Sequence, residues 1–173
     1  MLPSRILVSV TLGLLFILLG MYAKSENLYK PIKVEMSQLT KESRKSVKCL
    51  AENIYFESAY EPVEGRIAVA FVTLNRVNSG LYPDDICSVV KQRIQNVCQF
   101  SWYCERGKQI QNLNAYKQAE DIALYVYANY ERLKDPSNGA LFYHADYVRP
   151  KWKNVEKTVT IGRHIFYTKK EML

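Results

Sequence analysis

A chain of 173 residues with a net charge of +7 and 48% apolar residues has room for one domain with a proper core, and hardly for two. Its basic residues are scattered, and no nucleic-acid-binding motif or aromatic–basic stripe goes with them. No nucleic-acid partner is therefore expected, whereas a mild positive field suits an anionic envelope or bilayer.

The N-terminus, "MLPSRILVSVTLGLLFILLGMYAKSE", places Arg5 before an uncharged run from Ile6 to Ala23. That run is long for a secretory signal and just enough to cross a bilayer. Met21, two residues before Ala23, makes a poor cleavage site. Residues 1–23 are therefore expected to be an uncleaved signal-anchor that contacts the lipid bilayer through residues 6–23 and exports the rest. If the leader were cleaved, the body would be secreted. Residues 24–42 are polar without a sustained period and read as a tether, spanning about 25 Å as a flexible coil. The domain proper is expected over 43–173.

From Ser43, the spacing of Val47, Leu50, Ala51 and Ile54 predicts a helix. It must end by Glu61, because Pro62 cannot continue it and suits the first turn of a second helix instead. There Ile67, Ala70, Phe71, Leu74 and Val77 form an apolar stripe, and Gly80 is a C-terminal stop. Asn75 and Arg76, near the end of this helix, read as caps or surface groups. "LYPDDICSVVKQ" reads as a turn and a short helix. Asn114 is a candidate N-cap for the longest helix, running to about Lys134 with Ala115, Ala119, Ile122, Val126, Tyr130 and Leu133 on one face. "DPSNG" is a turn, and "ALFYHA", "TVTIG" and "HIFYTK" read as strands. The class is α+β, mainly helical, with a small antiparallel sheet near the C-terminus.

The four cysteines are even in number, which in an exported chain suggests disulfides. Cys98 and Cys104 are close enough to staple the loop "CQFSWYC", which leaves Cys49 with Cys87. A zinc site lacks CxxC spacing, and the chain has only two histidines, so no metal and no cofactor are expected. The thirteen tyrosines suit either a sugar-like ligand surface or half-buried core rings.

One carboxylate stands apart. In "NIYFESAYEP", Glu57 falls in the last turn of the first helix, among Tyr55, Phe56 and Tyr60. Helix C-termini carry partial negative charge and aromatic neighbours desolvate, and both raise a carboxyl pKa. A carboxylic acid still protonated near neutral pH can act as the general acid in glycosidic-bond cleavage. A solvent-facing glutamate at a helix end is the plain alternative.

The blocks "AENIYFESAYEPVEGRIAVAFVTLNRVNSGLYPDDICSVV", "QFSW", "DPSNGALFYHA" and "TIGRHIFY" are similar in order and spacing to the SleB-type cell wall hydrolases, a family that includes spore cortex-lytic enzymes. The resemblance spans most of residues 48–167. It implies a lysozyme- or lytic-transglycosylase-like fold acting on peptidoglycan glycan strands, with one catalytic glutamate in a Tyr-x-Glu-Ala-Arg-Gly-Glu motif. "YFESAYE" aligns with that motif, placing the catalytic position at Glu57 and the trailing acid at Glu61, with Ser58, Ala59 and Tyr60 replacing Ala-Arg-Gly. The implied chemistry is cleavage between N-acetylmuramic acid and N-acetylglucosamine, as a lytic transglycosylase or a muramidase. An amidase and an inert peptidoglycan-binding domain are the alternatives.

Matching the family block, Gln99, Phe100, Ser101 and Trp102 are candidate sugar contacts, although Phe100 and Trp102 would equally make a disulfide-pinned core plug. Strand alternation puts only one of Tyr143 and His144 in a cleft, and Tyr143 is the expected substrate contact. Glu61, His144 and His164 are possible supporting residues. Glu61 reads first as structural, and His164 as a satisfied structural histidine.

Overall fold

The computed structural model describes residues 31–170. The expected signal-anchor and the first part of the tether lie outside the described residues. Among those described, no helix is long and apolar enough to cross a membrane.

Four α-helices precede the larger sheet. Helix α1 (Lys41–Ser58) starts at Thr40, whose side chain accepts a hydrogen bond from the Ser43 amide at 3.1 Å. It ends where Ser58 Oγ turns back to donate to the Ile54 carbonyl at 2.9 Å. Helix α2 (Val63–Asn78) follows directly, with Pro62 at its N-cap and Gly80 beyond its end at φ +68°. A short α3 (Ile86–Val90) is capped by Asp85, and α4 spans Leu113–Asn129.

The N-cap of α4 is Asn112 rather than Asn114; its side chain accepts from the Ala115 amide at 3.0 Å. The helix stops at Asn129, short of Lys134, and at 17 residues is one shorter than α1. Asn129 is buried, accepts from the Ile32 amide at 2.6 Å and donates to the Ile32 carbonyl at 3.0 Å. Residues 31–40, expected as free tether, are thereby docked on the domain, with Met36 and Leu39 packed against its core.

Two antiparallel sheets complete the α+β architecture. A two-residue hairpin, β1 (Arg93–Ile94) and β2 (Val97–Cys98), turns through Gln95 and Asn96 at φ +48° and +67°. Strand periodicity missed it, because strands this short carry no pattern and the turn lacks a glycine. The larger sheet holds β3 (Phe142–Ala145), β4 (Val155–Ile161) and β5 (His164–Lys169) in the order β3–β5–β4.

Helix α2 separates the two halves of the core. On one side Ala70, Phe71 and Leu74 meet the α1 stripe of Val47, Leu50, Ala51 and Ile54. On the other, Ala68, Val69 and Val72 pack under Phe166 and Ile161 of the sheet. A helix apolar on both sides is one buried between layers. Disulfide Cys49–Cys87 ties α1 to α3, and Cys98–Cys104 closes the loop after β2.

Candidate active site

Glu57 is presented where α1 stops and the chain turns sharply into α2. It is half-buried and lines a cleft of about 270 Å³ with Phe56, Tyr60, Glu61, Ala145 and His164 among the other walls. A second cleft of about 300 Å³, reaching to Lys108 and Gln111, shares Tyr55, Phe56, Ala59 and Tyr60 with the first. The end of α1 thus forms the ridge between two depressions, with Tyr60 on its crest at 95% exposure.

The carboxyl group has one hydrogen-bond donor from a distant strand. Tyr143 of β3 donates its hydroxyl to Glu57 Oε2 at 3.0 Å. Burial raises the Glu57 pKa above the ordinary carboxyl value, and the Tyr143 bond and the positive charge of Arg76 pull it partly back. Burial likewise pushes the Tyr143 phenol well up, reinforced by the charge of Glu57, so it remains a donor. The net result is an acid that holds its proton to higher pH than an exposed glutamate.

Arg76, expected at the surface, is 6% exposed. It sits between the rings of Phe100 and Tyr82, at 4.9 and 5.2 Å from their centroids, and donates from Nε to the Leu141 carbonyl at 2.8 Å. Burial lowers its pKa, partly offset by Tyr82, Tyr143 and Glu57. The sequence carried a signal for this placement: Arg76 follows the buried Val72 and Thr73 by four and three residues, on one face of α2. Asn75 is no cap either. It accepts from the Tyr130 hydroxyl at 2.8 Å and donates to Asp135 at 2.9 Å and the Ala140 carbonyl at 3.1 Å, anchoring the turn that leads into β3.

The "QFSW" block does not form a sugar platform. Phe100 is 3% exposed, beneath Arg76. Trp102 is 8% exposed, stacked on Phe56 at 4.6 Å, with its indole N–H donated to Asn53 Oδ1 at 3.0 Å. Both lie in the core, each with a protein group packed on a ring face. Gln99 is half-buried and Ser101 is exposed, with its hydroxyl 3.5 Å from Glu105; neither lines the Glu57 cleft.

Glu61 accepts from the Arg163 amide at 2.9 Å, pinning the β4–β5 turn to the helix break. His144 lies on the sheet face opposite Tyr143 and is removed from Glu57 by strand alternation. His164 does line the cleft, with its ring 5.0 Å from that of Tyr143. It is buried, its Nδ1 has no hydrogen-bond partner among the described residues, and desolvation lowers its pKa despite Glu61 and Asp146. It is therefore not the satisfied histidine that was expected.

The chain is similar to spore cortex-lytic enzymes. That of Bacillus subtilis is 29% identical over 126 residues, covering 72% of this chain and 38% of the relative. That of Oceanobacillus iheyensis is 31% identical over 126 residues, covering 72% and 42%. The chain spans less than half the length of these relatives. The crystal structure of the catalytic domain of the Bacillus cereus SleB protein superposes with a TM-score of 0.53 at 28% identity, over 74% of this chain and 93% of that one. The family described as Cell Wall Hydrolase matches residues 60–167, more than half of the chain and beginning just after Glu57. On that match, the chain belongs to the cell wall hydrolase family.

Proposed function

We propose that this chain cleaves peptidoglycan glycan strands between N-acetylmuramic acid and N-acetylglucosamine, with Glu57 as its single catalytic acid. The observation that carries the reading is a desolvated carboxyl in an open cleft, with a raised pKa and an oriented Tyr143 donor. Membership of the cell wall hydrolase family and the likeness to proteins named spore cortex-lytic enzymes support the same substrate.

The other acid lining the cleft, Glu61, is held by the Arg163 amide. A two-carboxylate scheme therefore lacks its second partner among the cleft residues, and substrate assistance is the fitting alternative. Glu57 protonates the bridging oxygen as the glycosidic bond breaks. The acetamido group of the substrate steadies the positive charge developing at the anomeric carbon. The resulting Glu57 carboxylate then takes a proton from the 6-hydroxyl of the same sugar, which closes a 1,6-anhydro ring. Water attacking in its place gives the muramidase outcome. The work is done outside the cytoplasm, where the substrate lies and where two disulfides persist.

The test is mass spectrometry of purified peptidoglycan digested by the full chain, with and without EDTA, beside Glu57→Gln. Anhydro-muropeptides that resist EDTA and vanish in the variant support the transglycosylase form, and reducing-end sugars the muramidase form. Free stem peptides lost with EDTA would establish an amidase instead. No products from a folded wild-type chain would leave a binding domain and remove the role of Glu57.

A further inference from the structure

A separate concave site lies on the far side of the β3–β5–β4 sheet, with none of its lining residues in the Glu57 cleft. The inner face of the sheet, with Tyr143 and Phe166, is covered by α2. On the outer face His144 and Tyr167 stack with centroids 5.3 Å apart and planes 22° from parallel. Trp152, from the loop between β3 and β4, stands edge-on to both, at 5.6 and 5.8 Å. The His144 ring is held at both nitrogens, Nδ1 by the Ala145 carbonyl at 2.8 Å and Nε2 by the Tyr167 hydroxyl at 3.0 Å. A ring fixed at both ends is held in place to present its face. With Asp146 and Arg149 at the rim, these rings line a cleft of about 470 Å³. Trp152 remains 41% exposed in spite of its ring contacts.

Aromatic walls with a few polar groups at the edge suit a ligand that is apolar on its faces and polar around its perimeter. A pyranose ring has that form, with C–H groups on its faces and hydroxyls and an acetamido group around its edge. The polar groups at the rim are largely engaged within the protein. Asp146 is already paired with Arg163 at 3.3 Å, and the Arg149 guanidinium is bonded to the backbone carbonyls of Asp146 and Val148. Position favours the same strand that enters the Glu57 cleft. The segment leaving β3 divides the two clefts: Ala145, Tyr147 and Arg163 face Glu57, while His144 and Asp146 face Trp152. The Asp146–Arg163 pair bridges the ridge between them.

We propose that the Trp152–His144–Tyr167 cleft is a remote subsite for the N-acetylated glycan strand, holding sugars several units away from the bond at Glu57. The proposal rests on the reading of this chain as a glycan-cleaving enzyme, and it makes cleavage depend on strand length.

The experiment compares the full chain with Trp152→Ala and Trp152→Phe on long peptidoglycan strands and on a tetrasaccharide fragment. Trp152→Ala is expected to lose about tenfold in kcat/KM on long strands, through KM, with no change on the tetrasaccharide, and Trp152→Phe to restore most of the loss. An equal loss on both substrates, or none on either, would overturn the subsite and leave Trp152 as packing on the outer face of the sheet. A wild type that cuts neither would sink the functional reading, and binding then decides the subsite. The chain has two tryptophans, and Trp102 is buried. A change in emission on adding the β-1,4-linked N-acetylglucosamine hexamer, lost in Trp152→Phe, supports the cleft; an unchanged emission in the wild type refutes it.

Discussion

Tyr143 donates its hydroxyl to Glu57 Oε2 at 3.0 Å across 86 positions of sequence. That bond joins the end of the first helix to strand β3, and it partly offsets the effect of burial on how tightly the acid holds its proton. Burial favours the neutral carboxyl; the phenol and the Arg76 charge favour the carboxylate.

The sign of a pH experiment follows. In the proposed role of general acid, Glu57 would act in its protonated form, so activity should be present below its pKa and lost as pH rises through it. Tyr143→Phe removes an interaction that lowers this pKa, so the alkaline limb of kcat/KM should move to higher pH. The rate at the optimum should fall about tenfold, equivalent to about 1.4 kcal/mol of lost orientation. A pH–rate profile with an unmoved alkaline limb would show that the bond does not tune the acid.

Arg76→Met should move the same limb in the same direction, since it deletes the buried positive charge without touching the hydrogen bond. It also leaves the Leu141 carbonyl without its donor, at a cost of about 1–3 kcal/mol in stability. Urea unfolding measured beside the pH profile separates the two effects.

Gly162 should tolerate alanine worse than Gly139 does. Both have positive φ, +55° and +75°, so both incur the left-handed penalty of about 1–2 kcal/mol. A Cβ at Gly139 meets open space, whereas at Gly162 it would run into the Glu61 carboxyl and the Pro62 ring. Gly162→Ala should therefore be the more destabilising by at least about 1 kcal/mol and loosen the contact from Glu61 to the Arg163 amide. Equal midpoints for the two variants would show that this contact does not hold the turn.

The two disulfides should differ in value. Cys49–Cys87 closes a loop of sequence separation 38 and Cys98–Cys104 one of 6. Chain-entropy reasoning assigns them about 4 and about 2 kcal/mol. Replacing both cysteines of the longer loop with serine should lower Tm clearly more than replacing those of the shorter, as scanning calorimetry would show.

Removing Glu57 as Glu57→Gln keeps size and hydrogen-bonding capacity and deletes the transferable proton. The expected loss is about 100-fold to 10,000-fold in turnover with an unchanged circular dichroism spectrum. A fully active variant would end the assignment of the acid.

Much of this molecule was legible along the chain, because the deciding interactions are local. The stripe of Val47, Leu50, Ala51 and Ile54 is fully buried, Pro62 stands at the helix break, and the last three strands lie where β-branched and aromatic runs put them. The odd acid in an apolar helix end was visible for the same reason. The family resemblance also named the fold class that the structure displays. Less legible was any choice between core and cleft. Phe100 and Trp102 have the composition of a sugar platform, yet both are covered by protein, and Arg76 has the composition of a surface group.

The sequence by itself determined that there would be helices followed by a late sheet, the stop of α1 at the Pro62 break and the placing of Glu57 at a helix end, since periodicity and a proline act within a few residues, but not the ends of α4. Only the tertiary structure decided what surrounds that carboxyl. Its desolvation, the Tyr143 donor and the Arg76 charge come from three separate elements, and their effect depends on distances set when α1, α2 and β3 pack together. Strand alternation then turned His144 away from Glu57 and toward Trp152, on a face that no local pattern marks.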